Sequence, residues 1–222
     1  MTTPSFEFIG PWDGQVAATA IHAGNSVRSE LTQLMALPGD VRFREEDPFT
    51  DHIASQIPSR VVVHTSRFEV DLNRPRDGAV YRTPEEAWDL EIWHDPPLAE
   101  DAVERSLATY DAFYEEAAHH FDRLAERGPF CIFDVHSYNH RRDGADAPPS
   151  PEEDNPAVNV GTGSVDRERF GGVVDDFMEA LGSYESSAGP LDVRENVRFK
   201  GANLARWTHE RYPGLAAVLA LE

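Results

Sequence analysis

Apolar residues recur along this chain in short runs, and several of those runs stop at polar residues able to do chemistry. Val16 to Ile21 is one, ending at His22-Ala23-Gly24-Asn25. It reads as a strand that enters a loop at the carboxyl edge of a sheet. A helix is expected next over 27–36, stopped near Pro38-Gly39. Arg60 to His64 is β-branched and Phe68 to Leu72 alternates, so both predict strands, the second delivering Asp71-Leu72-Asn73-Arg74 at its end. Thr83-Pro84-Glu85-Glu86 has the form of a capping box with proline at the first helical position, which predicts that a helix opens there.

The longest periodic stretch is Leu98 to Arg127, where Leu107, Tyr110, Phe113, Tyr114, Ala117, Phe121 and Leu124 recur at helical spacing before Gly128-Pro129 ends the pattern. Phe130 to Val135 is almost continuously apolar, the signature of a strand buried on both faces of a mostly parallel sheet, and it ends at His136-Ser137. Asn139 to Pro156 is polar and too long for an idle connection, which makes it a candidate active-site loop. Helices are expected at Val165 to Leu181 and Ala202 to Arg211, and Leu215 to Leu221 is a last apolar strand that finishes on Glu222. No internal repeat or long linker interrupts the pattern. The expectation is one three-layer α/β domain over residues 1–222, with a mixed, mostly parallel central sheet flanked by helices.

Charge narrows the partners. Forty acidic residues against twenty basic ones give a formal charge of −20. Such a surface repels polyanions, which disfavours nucleic acid and anionic membranes. No apolar run reaches the length of a membrane span, and Met1 to Gly10 lacks the regions of a signal peptide. Cys131 is the only cysteine and lies in an apolar run, so a reducing, cytoplasmic setting is expected. The oligomeric state is left open.

Polar clusters close three of the expected strands: His22, Asp71 to Arg74, and Asp134 to Ser137. Ligand sites in open α/β sheets form at carboxyl strand ends, so these clusters are expected to converge. Two histidines from separate strand ends plus a carboxylate make a three-ligand zinc site with an open fourth position, the catalytic pattern. Asp134, two residues before His136, can orient that ring, with Ser137 beside it. Asn73 and Arg74 form a fork suited to a substrate carboxylate; the plainer alternative is an ion pair from Asp71 to Arg74 or Arg76. Arg44-Glu45-Glu46-Asp47 reads by composition as a solvated charge cluster. Glu222 emerges from an apolar strand, where burial raises a carboxyl pKa toward general-base duty. His119 and His120 are adjacent on the long helix and make a poor metal pair, and His52, His64, His94, His140 and His209 show no partner spacing.

In order and spacing, His22-Ala23-Gly24, Arg44 to Asp47 with Asp51, Arg67, Asp71-Leu72-Asn73-Arg74-Pro75 and Asp134-Val135-His136-Ser137 resemble the N-formylglutamate amidohydrolase family. Asn196 to Gly201 and Leu219 to Glu222 resemble that family's closing motifs, so the likeness spans nearly the whole chain. It extends more loosely to aspartoacylases, succinylglutamate desuccinylases and zinc carboxypeptidases. The resemblance implies a zinc carboxypeptidase-like α/β fold and one zinc ion held by His22, His136 and a carboxylate. It further implies Asn73 and Arg74 on the substrate's carboxylate, Arg67 polarising the scissile carbonyl, and Glu222 as general base. The wider superfamily carries its ligand carboxylate three residues after the first histidine, where this chain has Asn25. The third ligand is therefore expected from Asp47, with Glu46 as the alternative. Relatives usually continue past the position of Glu222, so a C-terminal extension is also expected.

The implied reaction is zinc-dependent hydrolysis of the amide bond of an N-acyl acidic amino acid such as N-formylglutamate, a small-molecule partner. The alternatives are a zinc peptidase or amidase acting on another acyl amino acid or peptide, and a non-catalytic binder of acidic metabolites.

Overall fold

A strand as apolar as Phe130–Val135 is stable only where both faces of its sheet are covered, and that requirement organises the molecule. The computed structural model describes residues 4–186 and 189–222, so the first three residues of the Met1 to Gly10 stretch lie outside it. The strands are β1 (Phe6–Ile9), β2 (Val16–Ala20), β3 (Arg60–Val63), β4 (Phe130–Val135), β5 (Val158–Gly161), β6 (Glu185–Ser186), β7 (Gly189–Pro190), β8 (Val193–Glu195) and β9 (Ala216–Leu221). The helices are α1 (Ser29–Thr32), α2 (Gly39–Glu45), α3 (Thr50–Ala54), α4 (Glu100–Ala125), α5 (Arg167–Gly182) and α6 (Asn203–Arg211).

Seven strands form one sheet in the order β1-β3-β2-β4-β9-β5-β8, and β6 and β7 make a separate two-stranded ribbon. Strands β3, β2, β4 and β9 run parallel, while β1 pairs antiparallel with β3 and β5 antiparallel with β9. This is the mixed, mostly parallel sheet that the pattern predicts.

Strand alternation divides the core between two layers of helices. Ala17, Ile132 and Val218 face one side, where Phe113, Phe121 and Leu124 of α4 and Leu204 of α6 cover them. Ala217 and Leu219 face the other side with Phe170 and Val174 of α5, and Ala18, Ala20 and Val135 pack there on Ala54 of α3. Among the described residues no helix is long and apolar enough to cross a membrane.

Three expected elements differ. Phe68 to Leu72 forms turns instead of a strand, with the Glu69 and Val70 N–H groups both returning to the Ser66 carbonyl. Strand β3 already has a neighbour on each side, β1 and β2, so it offers this segment no free edge. The alternation of Phe68, Val70 and Leu72 with Glu69 and Asp71 reflects burial of all five residues. The helix expected over 27–36 shrinks to α1, because Ala36 and Leu37 donate to Ile92 and Met35 bridges Trp93. At Thr83, Glu86 accepts the Thr83 N–H as a capping box requires, but the turn it opens ends after Ala87, where Trp88 adopts a left-handed φ of 56°.

Candidate metal centre

Register brings the chemistry together before any side chain is considered. In the parallel strands β2, β4 and β9, Thr19 lies opposite Asp134 and Val135 opposite Leu221. His22, His136 and Glu222 follow these strands within two residues and leave the sheet at one edge. Gly24 lets the His22 loop press against the end of β3, since a Cβ there would lie 2.2 Å from the His64 carbonyl. Asp47 arrives from the α2–α3 connection, its N–H donating to the His22 carbonyl at 3.1 Å. Arg67, Asp71, Asn73 and Arg74 come from the turns that follow β3.

Asp47 Oδ2 lies 2.8 Å from His136 Nδ1 and 3.4 Å from His22 Nδ1. One potential ligand atom from each of the three residues lies within 4.8 Å of the others. The far nitrogen of each ring faces a carboxylate: His22 Nε2 is 2.8 Å from Asp71 Oδ1, and His136 Nε2 is 3.1 Å from Asp134 Oδ2. A ring held by a carboxylate on one nitrogen turns the other toward a metal. His22 Nδ1 is buried without a hydrogen-bond partner, a state that costs free energy unless a ligand meets it. Two such nitrogens and a carboxylate oxygen fit a divalent cation.

The cluster is buried. His22, Asp47, Asp71, Asp134 and His136 are each at most 5% exposed. Burial alone would raise the pKa of Asp47, but the hydrogen-bonded His136 and the nearby His22 ring hold it below the ordinary carboxylate range. Burial also opposes ionisation of Asp71, and Arg67 and His22 overcome it. His136 is held well above the usual imidazole range, since Asp134 and Asp47 outweigh the burial that disfavours its charge. The cluster thus carries an excess of negative charge that a proton or a metal ion compensates. Asp134 is steadied by Thr19 Oγ1, which donates to it at 2.5 Å, and Asp71 by the Tyr81 hydroxyl.

Glu46 is not part of this group. Its Oε1 accepts from Ser66 Oγ and lies 3.4 Å from Arg42 Nε. Burial, only partly offset by Ser66 and Arg42, pushes its pKa up to about 7.

A cavity of about 340 Å³ opens over the cluster. Arg67 enters it with Nη2 held by Asp71 at 2.8 Å and its guanidinium 4.9 Å from the Trp88 ring centre. Arg74 stacks 4.7 Å from the Tyr81 ring and has one distant acid, Asp71, at 3.9 Å. Arg76 is elsewhere, paired with Asp111 at 2.6 Å. Asn73 spans the floor: its Oδ1 accepts the Leu204 N–H at the start of α6, and its Nδ2 is 3.3 Å from His136 Nε2. Ser137 lines the wall and makes no side-chain hydrogen bond among the described residues. Glu222 lines it too, and burial pushes its carboxyl up to about 7. Within the expected loop, Asn139 and Arg142 reach the cavity while holding α2 through the Arg44 carbonyl and Glu45.

The profile of the family described as N-formylglutamate amidohydrolase matches residues 15–220. The chain belongs to this family. An N-formylglutamate amidohydrolase structure from Ralstonia eutropha JMP134 is similar to it at a TM-score of 0.72 and 16% identity, covering 98% of this chain and 84% of that one. A gene product from Agrobacterium tumefaciens is similar at 0.70 and 19% identity, covering 99% and 84%. At these identities the likeness speaks for the fold. No curated protein sequence matches significantly.

Sequence reasoning placed Asp71 in this N-formylglutamate amidohydrolase-family site without a role and missed Tyr81 and Trp88. Asp71 acts as the partner of His22, and its placement between apolar Val70 and Leu72 is the signal of a buried acid. Tyr81 and Trp88 carry no such signal, because their positions depend on the turns around them.

Proposed function

We propose that this protein is a zinc-dependent amidohydrolase that cleaves N-formyl acidic amino acids such as N-formylglutamate, releasing formate and the free amino acid. The observation that carries the reading is the convergence of His22 Nδ1 and His136 Nδ1 on Asp47 Oδ2, each ring backed by its own carboxylate. Two imidazoles and a carboxylate are the donor set of catalytic zinc, and Asp47 fills the third place. Bound there, zinc supplies Lewis acidity, bringing the pKa of water from about 16 toward 7 and drawing charge from a carbonyl.

The protein's own groups do the rest. Glu222 accepts a proton at its carboxylate from the attacking water and passes it to the departing amine nitrogen. Arg67 donates to the carbonyl oxygen as charge builds on it, and its anchorage on Asp71 and Trp88 means little reorganisation is needed. Arg74, its guanidinium over the Tyr81 ring, takes the α-carboxylate with the Asn73 amide beside it. Asp134 keeps His136 Nδ1 turned toward Asp47. Ser137 completes the wall next to that ring. The whole chain works as one catalytic domain on a small soluble substrate in the cytoplasm.

A silent binder of acidic metabolites needs arginines but not a half-buried acid with its pKa pushed up to about 7, so Glu222 favours catalysis. Glu222→Gln is expected to lower kcat by about 10²- to 10⁴-fold while one zinc per chain is retained. Formate release from N-formyl-L-glutamate and elemental analysis check both, and a variant with normal kcat removes Glu222 from the mechanism.

A further inference from the structure

The segment Asn196-Val197-Arg198-Phe199-Lys200-Gly201 plays no part in the mechanism above, yet Arg198 and Phe199 form part of the cavity wall. Four arginines line that cavity. Arg67 is 2.8 Å from Asp71, Arg74 is 3.9 Å from Asp71, and Arg142 is 2.7 Å from Glu45. Arg198 has no carboxylate partner among the described residues. Its Nη1 donates to the neutral Asn155 Oδ1 at 3.0 Å, and its guanidinium leans on the rings of Tyr138 and Phe199 at 6.0 and 5.7 Å. In a chain with twice as many acidic as basic residues, a cavity-wall arginine without an acid is a charge left over for a ligand.

The backbone fixes its place. Asn196 adopts a φ of 56°, and its side chain brackets Thr162, accepting the Thr162 N–H at 2.9 Å and donating to Oγ1 at 2.8 Å. Asn159, fully buried, accepts the Arg198 N–H on Oδ1 at 2.9 Å and donates Nδ2 to the Phe199 carbonyl at 2.8 Å. The same Asn159 exchanges both of its backbone hydrogen bonds with Glu222, each 3.0 Å. One buried asparagine thereby ties Arg198 to the strand end that carries Glu222.

We infer that Arg198 receives the side-chain carboxylate of the substrate and so selects dicarboxylic acyl amino acids over those with neutral side chains. The inference rests on the proposed function, in which Arg74 takes the α-carboxylate. A dicarboxylic substrate then meets a guanidinium for each carboxylate, whereas a neutral side chain leaves Arg198 solvated. Because Arg198 is exposed at the cavity mouth, removing it costs what an accessible charge-assisted hydrogen bond supplies, about 10- to 100-fold in affinity.

The test compares wild type, Arg198→Gln and Arg198→Lys on N-formyl-L-glutamate and its neutral isostere N-formyl-L-glutamine. Calorimetric titration of L-glutamate and L-glutamine accompanies the kinetics. Arg198→Gln is expected to raise KM for N-formyl-L-glutamate by about 10- to 100-fold with kcat little changed, to leave N-formyl-L-glutamine within about twofold, and to weaken L-glutamate binding alone. Lysine is expected to restore part of the loss. Equal losses on both substrates, or no loss on either, overturn the inference while formate release upholds the amidohydrolase reading. Wild-type protein that binds L-glutamate through Arg198 but releases no formate supports the subsite and overturns that reading instead.

Discussion

A histidine nitrogen acquires its role from what the opposite nitrogen does, and His22 carries that logic in this protein. Asp71 holds Nε2 at 2.8 Å, so Nδ1 is left bare and turned toward Asp47. Asp71→Asn weakens that hold, and such outer partners tune metal affinity by about 10- to 100-fold. The expected outcome is zinc binding weaker by that factor in chelator competition, with the protein still folded; unchanged affinity would show that Asp71 serves only Arg67. Glu222, pushed up to about 7, acts when ionised, so kcat/KM is expected to rise with pH toward about 7 and then level. A bound cation moves that midpoint down, never up, so a pH–rate profile climbing only above pH 8 would exclude Glu222 as the base. His22 and His136 were legible in the sequence because each follows an apolar run. The choice between Glu46 and Asp47 was not. Both sit in one charged cluster, and only the turn that points Asp47 at two rings and Glu46 at Ser66 and Arg42 separates them.

At the scale of elements, helix α6 is tied to the sheet by a histidine that sequence spacing left without a role. His209 Nε2 accepts the Val218 N–H at 2.9 Å, and Nδ1 lies 2.8 Å from Ser164 Oγ. Burial lowers its pKa from 6.5 to about 4, so the folded state prefers the neutral ring. The stability this contributes is fully present above pH 6.5 and is lost as pH falls toward 4. Between pH 7.5 and 5 the loss is about 2 kcal/mol. Denaturant unfolding at the two pH values is expected to show a smaller drop in His209→Gln than in wild type; equal drops contradict the assignment.

Elements whose burial follows a single period were legible: β2, β4, β9, α4 and α5 coincide with their patterns to within a few residues. Two of the three misread elements share a cause, which is competition for backbone partners. Residues 34–37 give up helix for pairing with 92–94, and 66–74 folds into turns because β3 has no free edge.

For the molecule as a whole, strand order and direction are what the one-dimensional pattern does not contain. An apolar run does not disclose that β1 pairs antiparallel with β3 and β5 with β9, nor that Asn159 of β5 would lie against Glu222. Those pairings nonetheless decide that residues spread from His22 to Glu222 open onto one cavity. The same assembly gathers four arginines of a chain that carries −20 onto the wall of that cavity, where they stand among the acids of the metal cluster. The most direct test is formate release from N-formyl-L-glutamate by chelator-stripped protein titrated with zinc. The expected result is no activity in stripped protein and a linear rise that saturates at one equivalent of zinc per chain; full activity without zinc, or none after one equivalent, would contradict it.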